Sequence, residues 1–104
     1  MEFLVAFAVT VPEGTPSADV VAREEAEAAA AGQLIRQGHL IRLWKRPLAS
    51  GGTRPLGLYR ADSQEQLDGL LGALPLADWM DLEVTPLQPH PNDPGPGPDR
   101  AGRS

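Results

Sequence analysis

The sequence predicts an α+β sandwich with the element order β-α-β-β-α-β, the ferredoxin-like arrangement. Three observations carry this expectation. Short apolar segments of strand character recur along the chain, two longer segments of helix-forming composition lie between them, and Gly or Pro marks most of the junctions. A chain of 104 residues is sized for one small domain, and its core is small enough that burying more surface by oligomerising is a natural expectation.

The elements follow in order. Phe3, Val5, Phe7, Val9 and Val11 alternate with Leu4, Ala6, Ala8 and Thr10, a period of two that reads as a strand. Both of its faces are apolar, which places it centrally in a sheet. Pro12 to Pro16 is a turn, and residues 16 to 37 are rich in Ala, Glu and Arg, good helix formers. Gly38 stands as the helix stop. His39 to Trp44 reads as the second strand and Leu56 to Ala61 as the third, joined by a flexible connection, Pro47 to Pro55, that holds Ser50-Gly51-Gly52-Thr53. Ser63, with Gln66 three residues on, is a capping-box pattern, and Leu67, Leu70, Leu71 and Leu74 then form one apolar helical stripe that Pro75 ends. Leu82 to Thr85 is the fourth strand. The domain spans residues 1 to 94, and the Gly/Pro-rich stretch from Gly95 to Ser104 is expected to be a disordered tail.

Composition excludes several classes of function. A net charge of -5 leaves no basic stripe to neutralise phosphates, so nucleic acid is not an expected partner. With no cysteine there is no disulfide framework, thiol nucleophile or thiolate metal site, and the two histidines lack metal-ligand spacing. The apolar start is too short to span a membrane and lacks the basic flank of a signal peptide, so the expected location is the cytoplasm.

The first helix carries an oddity. On a helical wheel Glu24 and Glu27 fall inside the sector of Val20, Ala28, Ala31, Leu34 and Ile35, while Glu25 and Arg36 fall outside it. Two carboxylates thus point toward the sheet. Desolvation there disfavours the charged form, the tuning a general acid or base uses. The alternative is an Ala-rich helix at an edge, with both glutamates reaching water. On the second strand, period two puts Leu40, Arg42 and Trp44 on one face. Arg42 beside Trp44 is either a clamp for an anionic substrate or an edge arginine whose stem lies on the ring. His39 either shares proton work or hydrogen-bonds near the helix end. Trp79 either lines a pocket or fills a subunit contact. Tyr59 is a candidate phenol donor to a developing oxyanion, with core packing as the other reading.

Leu74-Pro75-Leu76, then Trp79-Met80-Asp81, then Thr85-Pro86-Leu87 and His90-Pro91-Asn92-Asp93-Pro94, resemble the C-terminal signature of the muconolactone isomerase family. Gly38-His39-Leu40-Ile41-Arg42-Leu43-Trp44 resembles that family's glycine-led second strand, and the resemblance runs in register from about residue 1 to 94. It implies an enzyme that shifts a double bond in a small unsaturated lactone, muconolactone to 3-oxoadipate enol-lactone, in aromatic-compound catabolism and without a cofactor. It also implies that Glu27, eleven residues before Gly38, is the proton-transfer carboxylate, with Arg42 holding the substrate carboxylate. The implied assembly is a homodimer packed sheet to sheet as a dimeric α/β barrel, alone or within a ring of dimers, with the arm Leu87 to Pro94 crossing onto a neighbour. The competing class is a divergent ferredoxin-like dimer that binds or converts another small metabolite, since the fold does not fix function. Ala6, where some relatives carry a basic residue, and the run Ala28 to Ala31 depart from the family pattern.

Overall fold

The computed structural model describes residues 1–95. Its elements are β1 (Glu2–Val9), α1 (Ser17–Arg36), β2 (Leu40–Pro47), β3 (Thr53–Arg60), α2 (Gln64–Gly72), a single 3-10 turn (Ala77–Trp79) and β4 (Met80–Leu87). The sheet order is β2-β3-β1-β4, and every neighbouring pair is antiparallel. The α+β sandwich expected from the sequence is therefore the fold. The tail expected to be disordered lies, apart from Gly95, outside the described residues.

β1 is central because both of its faces are apolar. Phe3, Val5 and Phe7 are buried on the helix side, and Leu4, Ala6 and Ala8 are half-buried on the other. β1 stops at Val9, two residues short of the alternating pattern, whereas β2, β3 and β4 run longer than their apolar segments suggest because pairing continues beyond them. β4 pairs with β1 from Met80 opposite Val9 to Leu87 opposite Glu2. Prolines fall where they break little. Pro86 is on the edge strand β4, and Pro55 lies beyond the last β1–β3 pair, where β3 has a neighbour on one side only.

Helix ends follow local chemistry. Gly38 takes φ +79°, and the His39 N–H donates back to the Leu34 carbonyl at 2.9 Å, which closes the end of α1. At α2 the Ser63 hydroxyl accepts from the Gln66 N–H at 3.1 Å. Gln66 returns the bond one residue earlier than a capping box requires, its Oε1 accepting from the Asp62 N–H at 2.7 Å. Leu67, Leu71 and Leu74 are buried against Phe3, Val5 and Tyr59 in the core, and Leu70 is half-buried beside them.

α1 packs less tightly than its wheel suggests. Leu34 is its sole buried residue, and Ile35, placed by the wheel in the apolar sector, is 58% exposed. The alanines at positions 28 and 31 are too short to fill the space between helix and sheet, and both line the gap that remains. The opposite face of the sheet carries no helix. It presents Leu4, Ala6, Leu56 and Leu58, half-buried, and Trp44, 37% exposed. No helix of the described residues is long and apolar enough to cross a membrane.

Candidate active site

The gap under α1 is a cavity of about 320 Å³. Glu24, Glu27, Ala28 and Ala31 line its helix side. Phe7, Val9, Leu40, Leu43, Pro55 and Tyr59 line its sheet side, and Leu76 and Met80 close one end. The wheel reading was right that both carboxylates turn toward the sheet. The alternative reading is met as well, since both glutamates reach water: Glu24 is exposed, Glu27 is half-buried, and no charged side chain of the described residues is buried. The reason is the gap itself. A carboxylate facing a solvent-reachable cavity keeps part of its hydration, which one packed against hydrocarbon loses.

Glu27 is held in place. Its Oε1 accepts from the Leu76 backbone N–H at 3.0 Å, and no hydrogen bond to another described residue engages its second oxygen. Tyr59 is 3% exposed, and its ring meets that of Phe7 with centroids 6.1 Å apart and planes at 53°. Burial, and then the negative charge of Glu27, push the phenol pKa up from 10.0 to about 12. The hydroxyl therefore stays protonated across the physiological range. No buried polar side-chain atom of the described residues lacks a partner, and no other described group bonds the Tyr59 hydroxyl, so the hydroxyl opens to the cavity. A carboxylate with one free oxygen and a protonated phenol thus face one mostly apolar space. That pairing suits proton removal from carbon, with a hydrogen-bond donor for the charge that develops.

The muconolactone delta-isomerase family model matches residues 1–93. The chain belongs to the muconolactone delta-isomerase family. It is similar to the muconolactone delta-isomerase of Cupriavidus pinatubonensis (strain JMP 134 / LMG 1197), with 34% identity over 88% of this chain and 97% of that one. It is also similar to muconolactone delta-isomerase 1 of Acinetobacter lwoffii, with 32% identity over 88% of this chain and 93% of the relative. A crystal structure of muconolactone isomerase superposes with a TM-score of 0.76 at 30% identity, covering 88% of this chain and 93% of that chain. A 5-chloro-2-hydroxyhydroquinone dehydrochlorinase from Burkholderia phenoliruptrix AC1100, solved with 2,5-dihydroxybenzoquinone, shares the fold alone, with a TM-score of 0.60 at 15% identity over 86% of this chain and 96% of that one.

In this muconolactone delta-isomerase family member the structure does not bring the other expected site residues to the cavity. The register of β2 against β3 shifts between Leu40 and Arg42. Leu40 pairs with Tyr59 on the helix side, whereas Arg42 pairs with Leu58 and Trp44 with Leu56 on the open side. The extra residue of the bulge reverses the alternation, so Leu40, Arg42 and Trp44 do not share a face. The Arg42 guanidinium instead lies 5.1 Å from the Trp44 ring centroid, a cation–π contact on the far side of the sheet. The His39 Nδ1 lies 2.8 Å from the Arg60 carbonyl oxygen. A carbonyl only accepts, so Nδ1 carries the hydrogen and the ring serves the β2–β3 junction. Trp79 is buried and packs under Arg23, whose guanidinium carbon is 4.3 Å from the ring centroid, beside a different surface depression.

Two features of the cavity are not announced by the sequence. The Leu76 N–H that holds Glu27 is a backbone group, and side-chain patterns do not reveal it. Arg23 was legible in principle, because it lies four residues before Glu27 and so one turn away on the same helix face. It donates to the Pro75 carbonyl at 3.0 Å and to the Asp78 carboxylate at 2.6 Å.

Proposed function

We propose that the protein is a cytosolic isomerase that converts muconolactone into 3-oxoadipate enol-lactone without a cofactor. The observation that carries this reading is the Glu27 carboxylate, tethered through one oxygen and facing a cavity that also holds the Tyr59 phenol. Glu27 removes the proton from the ring carbon that bears the acetate arm. The electron pair moves through the double bond onto the lactone carbonyl oxygen, giving a dienolate. Tyr59 donates a hydrogen bond to that oxygen. The carboxylic acid of Glu27 then returns the proton to the carbon next to the carbonyl, so the double bond has moved and the atoms balance. The test is direct. Purified protein mixed with muconolactone is expected to form the enol-lactone, followed by proton NMR, and a lactone left unchanged would overturn the proposal.

The substrate also carries a carboxylate, and among the described residues no basic side chain lines the cavity. With Arg42 turned to the far face, we assign the substrate carboxylate to Lys45. Lys45 pairs with Pro55 and lies two residues beyond Leu43 in an unbroken register, and both of those residues line the cavity. Lys45 is thus on the cavity face, at the rim nearest the β2–β3 connection. It makes no ion pair among the described residues. Lys45→Ala is expected to raise KM about tenfold with little change in kcat, because such a contact serves substrate and transition state alike. Lys45→Arg is expected to restore KM. An unchanged KM in the alanine variant would remove Lys45 from the site.

The homodimer belongs to the same proposal. The helix-free sheet face, with Leu4, Leu56, Leu58 and Trp44, is the apolar strip that a second sheet would cover.

A further inference from the structure

We infer that Arg23 positions the Glu27 carboxylate, and that the two side chains act through a single peptide group. The inference rests on Glu27 as the proton carrier. The segment between α2 and β4 places the Pro75–Leu76 peptide beside α1. The Leu76 N–H donates to Glu27 Oε1 at 3.0 Å, and the Pro75 carbonyl of the same peptide accepts from Arg23 Nη1 at 3.0 Å. Residues four apart on a helix lie one above the other, so Arg23 and Glu27 reach the two polar ends of one planar unit. A rotation of that plane moves both ends together, so it cannot leave Glu27 while Arg23 holds it.

Arg23 is itself fixed from two further directions. Its Nη1 also meets the Asp78 carboxylate at 2.6 Å, and its guanidinium lies over the Trp79 ring. Both partners lie just beyond Pro75 in the chain, so the guanidinium gathers the turn from Pro75 to Trp79 onto α1. The bonds within that turn do not use the Leu76 N–H. Ala77 donates to the Leu74 carbonyl and Trp79 to the Leu76 carbonyl, which leaves the Leu76 N–H for Glu27. A cation on the carbonyl of a peptide polarises it and makes its N–H a stronger donor. Arg23 therefore orients the Leu76 N–H and strengthens its hold on the carboxylate.

The test uses Arg23→Gln, Arg23→Lys and Glu27→Gln singly, and Arg23→Gln combined with Glu27→Gln, with two readouts. The first is turnover of muconolactone. Arg23→Gln is expected to lower kcat about tenfold with KM within about twofold, the scale of a misplaced catalytic group. Arg23→Lys, which keeps the positive charge, is expected to recover part of the loss. On the Glu27→Gln background, Arg23→Gln is expected to cost no more than about twofold further, because its effect runs through Glu27. The second readout needs no substrate. Hydrogen exchange at the Leu76 amide is expected to quicken at least about tenfold in Arg23→Gln, while the Val5 and Tyr59 amides of the sheet keep their protection. If Glu27→Gln loses about a hundredfold in kcat but Arg23→Gln keeps full kcat, or costs the same tenfold on both backgrounds, the positioning role is wrong and the base assignment stands. Unchanged Leu76 exchange also overturns it. Full activity in Glu27→Gln overturns the base assignment and this inference together.

Discussion

Glu27→Gln is expected to lower turnover of muconolactone by about a hundredfold or more, the scale of general acid–base catalysis, while the protein stays folded. The substitution is close to isosteric, and an amide oxygen accepts the Leu76 N–H as the Glu27 Oε1 does at 3.0 Å. The amide cannot take a proton from carbon, so the loss falls on kcat. KM is expected to move little, since the reacting carboxylate is not what holds the substrate's anionic arm. Glu27→Ala separates the two duties of the residue. It removes the base and also leaves the Leu76 N–H without its acceptor, so it is expected to be less stable than Glu27→Gln by about 1 kcal/mol, the cost of an unmade hydrogen bond near the interior. Turnover of both variants beside the parent protein, with thermal melts, gives the comparison. A glutamine variant with full activity would refute Glu27 as the base.

Tyr59→Phe is expected to lower kcat by about a hundredfold, the effect of removing one donor from a developing oxyanion. The ring contact with Phe7 needs no hydroxyl, so packing and melting temperature are expected to hold. A fully active phenylalanine variant would make Tyr59 a core residue only. The residue also offers a spectroscopic check, because it is the chain's one tyrosine and its phenolate absorbance titrates alone. The native midpoint is expected near 12 rather than 10.0, and lower in Glu27→Gln, where the charge that adds to the effect of burial is gone. The folded pKa is raised, so the neutral phenol is the form the native state favours. The stability this contributes is fully present below pH 10 and is lost as the pH rises toward 12. A native midpoint at the ordinary tyrosine value would mean that the phenol is open to water.

The element order was legible because it depends on interactions between near neighbours. Alternation from Phe3 to Val9 marks a strand wherever that strand lies, and the spacing of Leu67, Leu70 and Leu71 alone marks a helix face. Gly38 ends α1 because a positive φ favours glycine, which is a local fact. The direction of Glu27 was legible for the same reason, since a helical wheel needs no knowledge of what the helix faces. Its half-exposure stood there only as one of two alternatives, because the cavity under α1 exists only when short alanines meet a sheet that the wheel does not contain.

The amino-acid sequence by itself determined the α+β order, the C-terminal end of α1, the N-cap of α2, the central place of β1, the family, and Glu27 as a carboxylate turned toward the sheet, whereas α2 ends at Gly72, ahead of the expected stop at Pro75. Only the tertiary structure decided which other groups meet Glu27. One bulge residue in β2 turned Arg42 and Trp44 to the far face and left Lys45 on the cavity side, because strand alternation carries no record of an extra residue until a partner strand fixes the register. The grip of Arg23 and Glu27 on the Pro75–Leu76 peptide was decided there too. Each of its bonds joins residues about fifty positions apart, one through a backbone carbonyl that every residue carries and one through a backbone N–H that every residue but proline carries, so the chain must fold before the residues in that grip are determined.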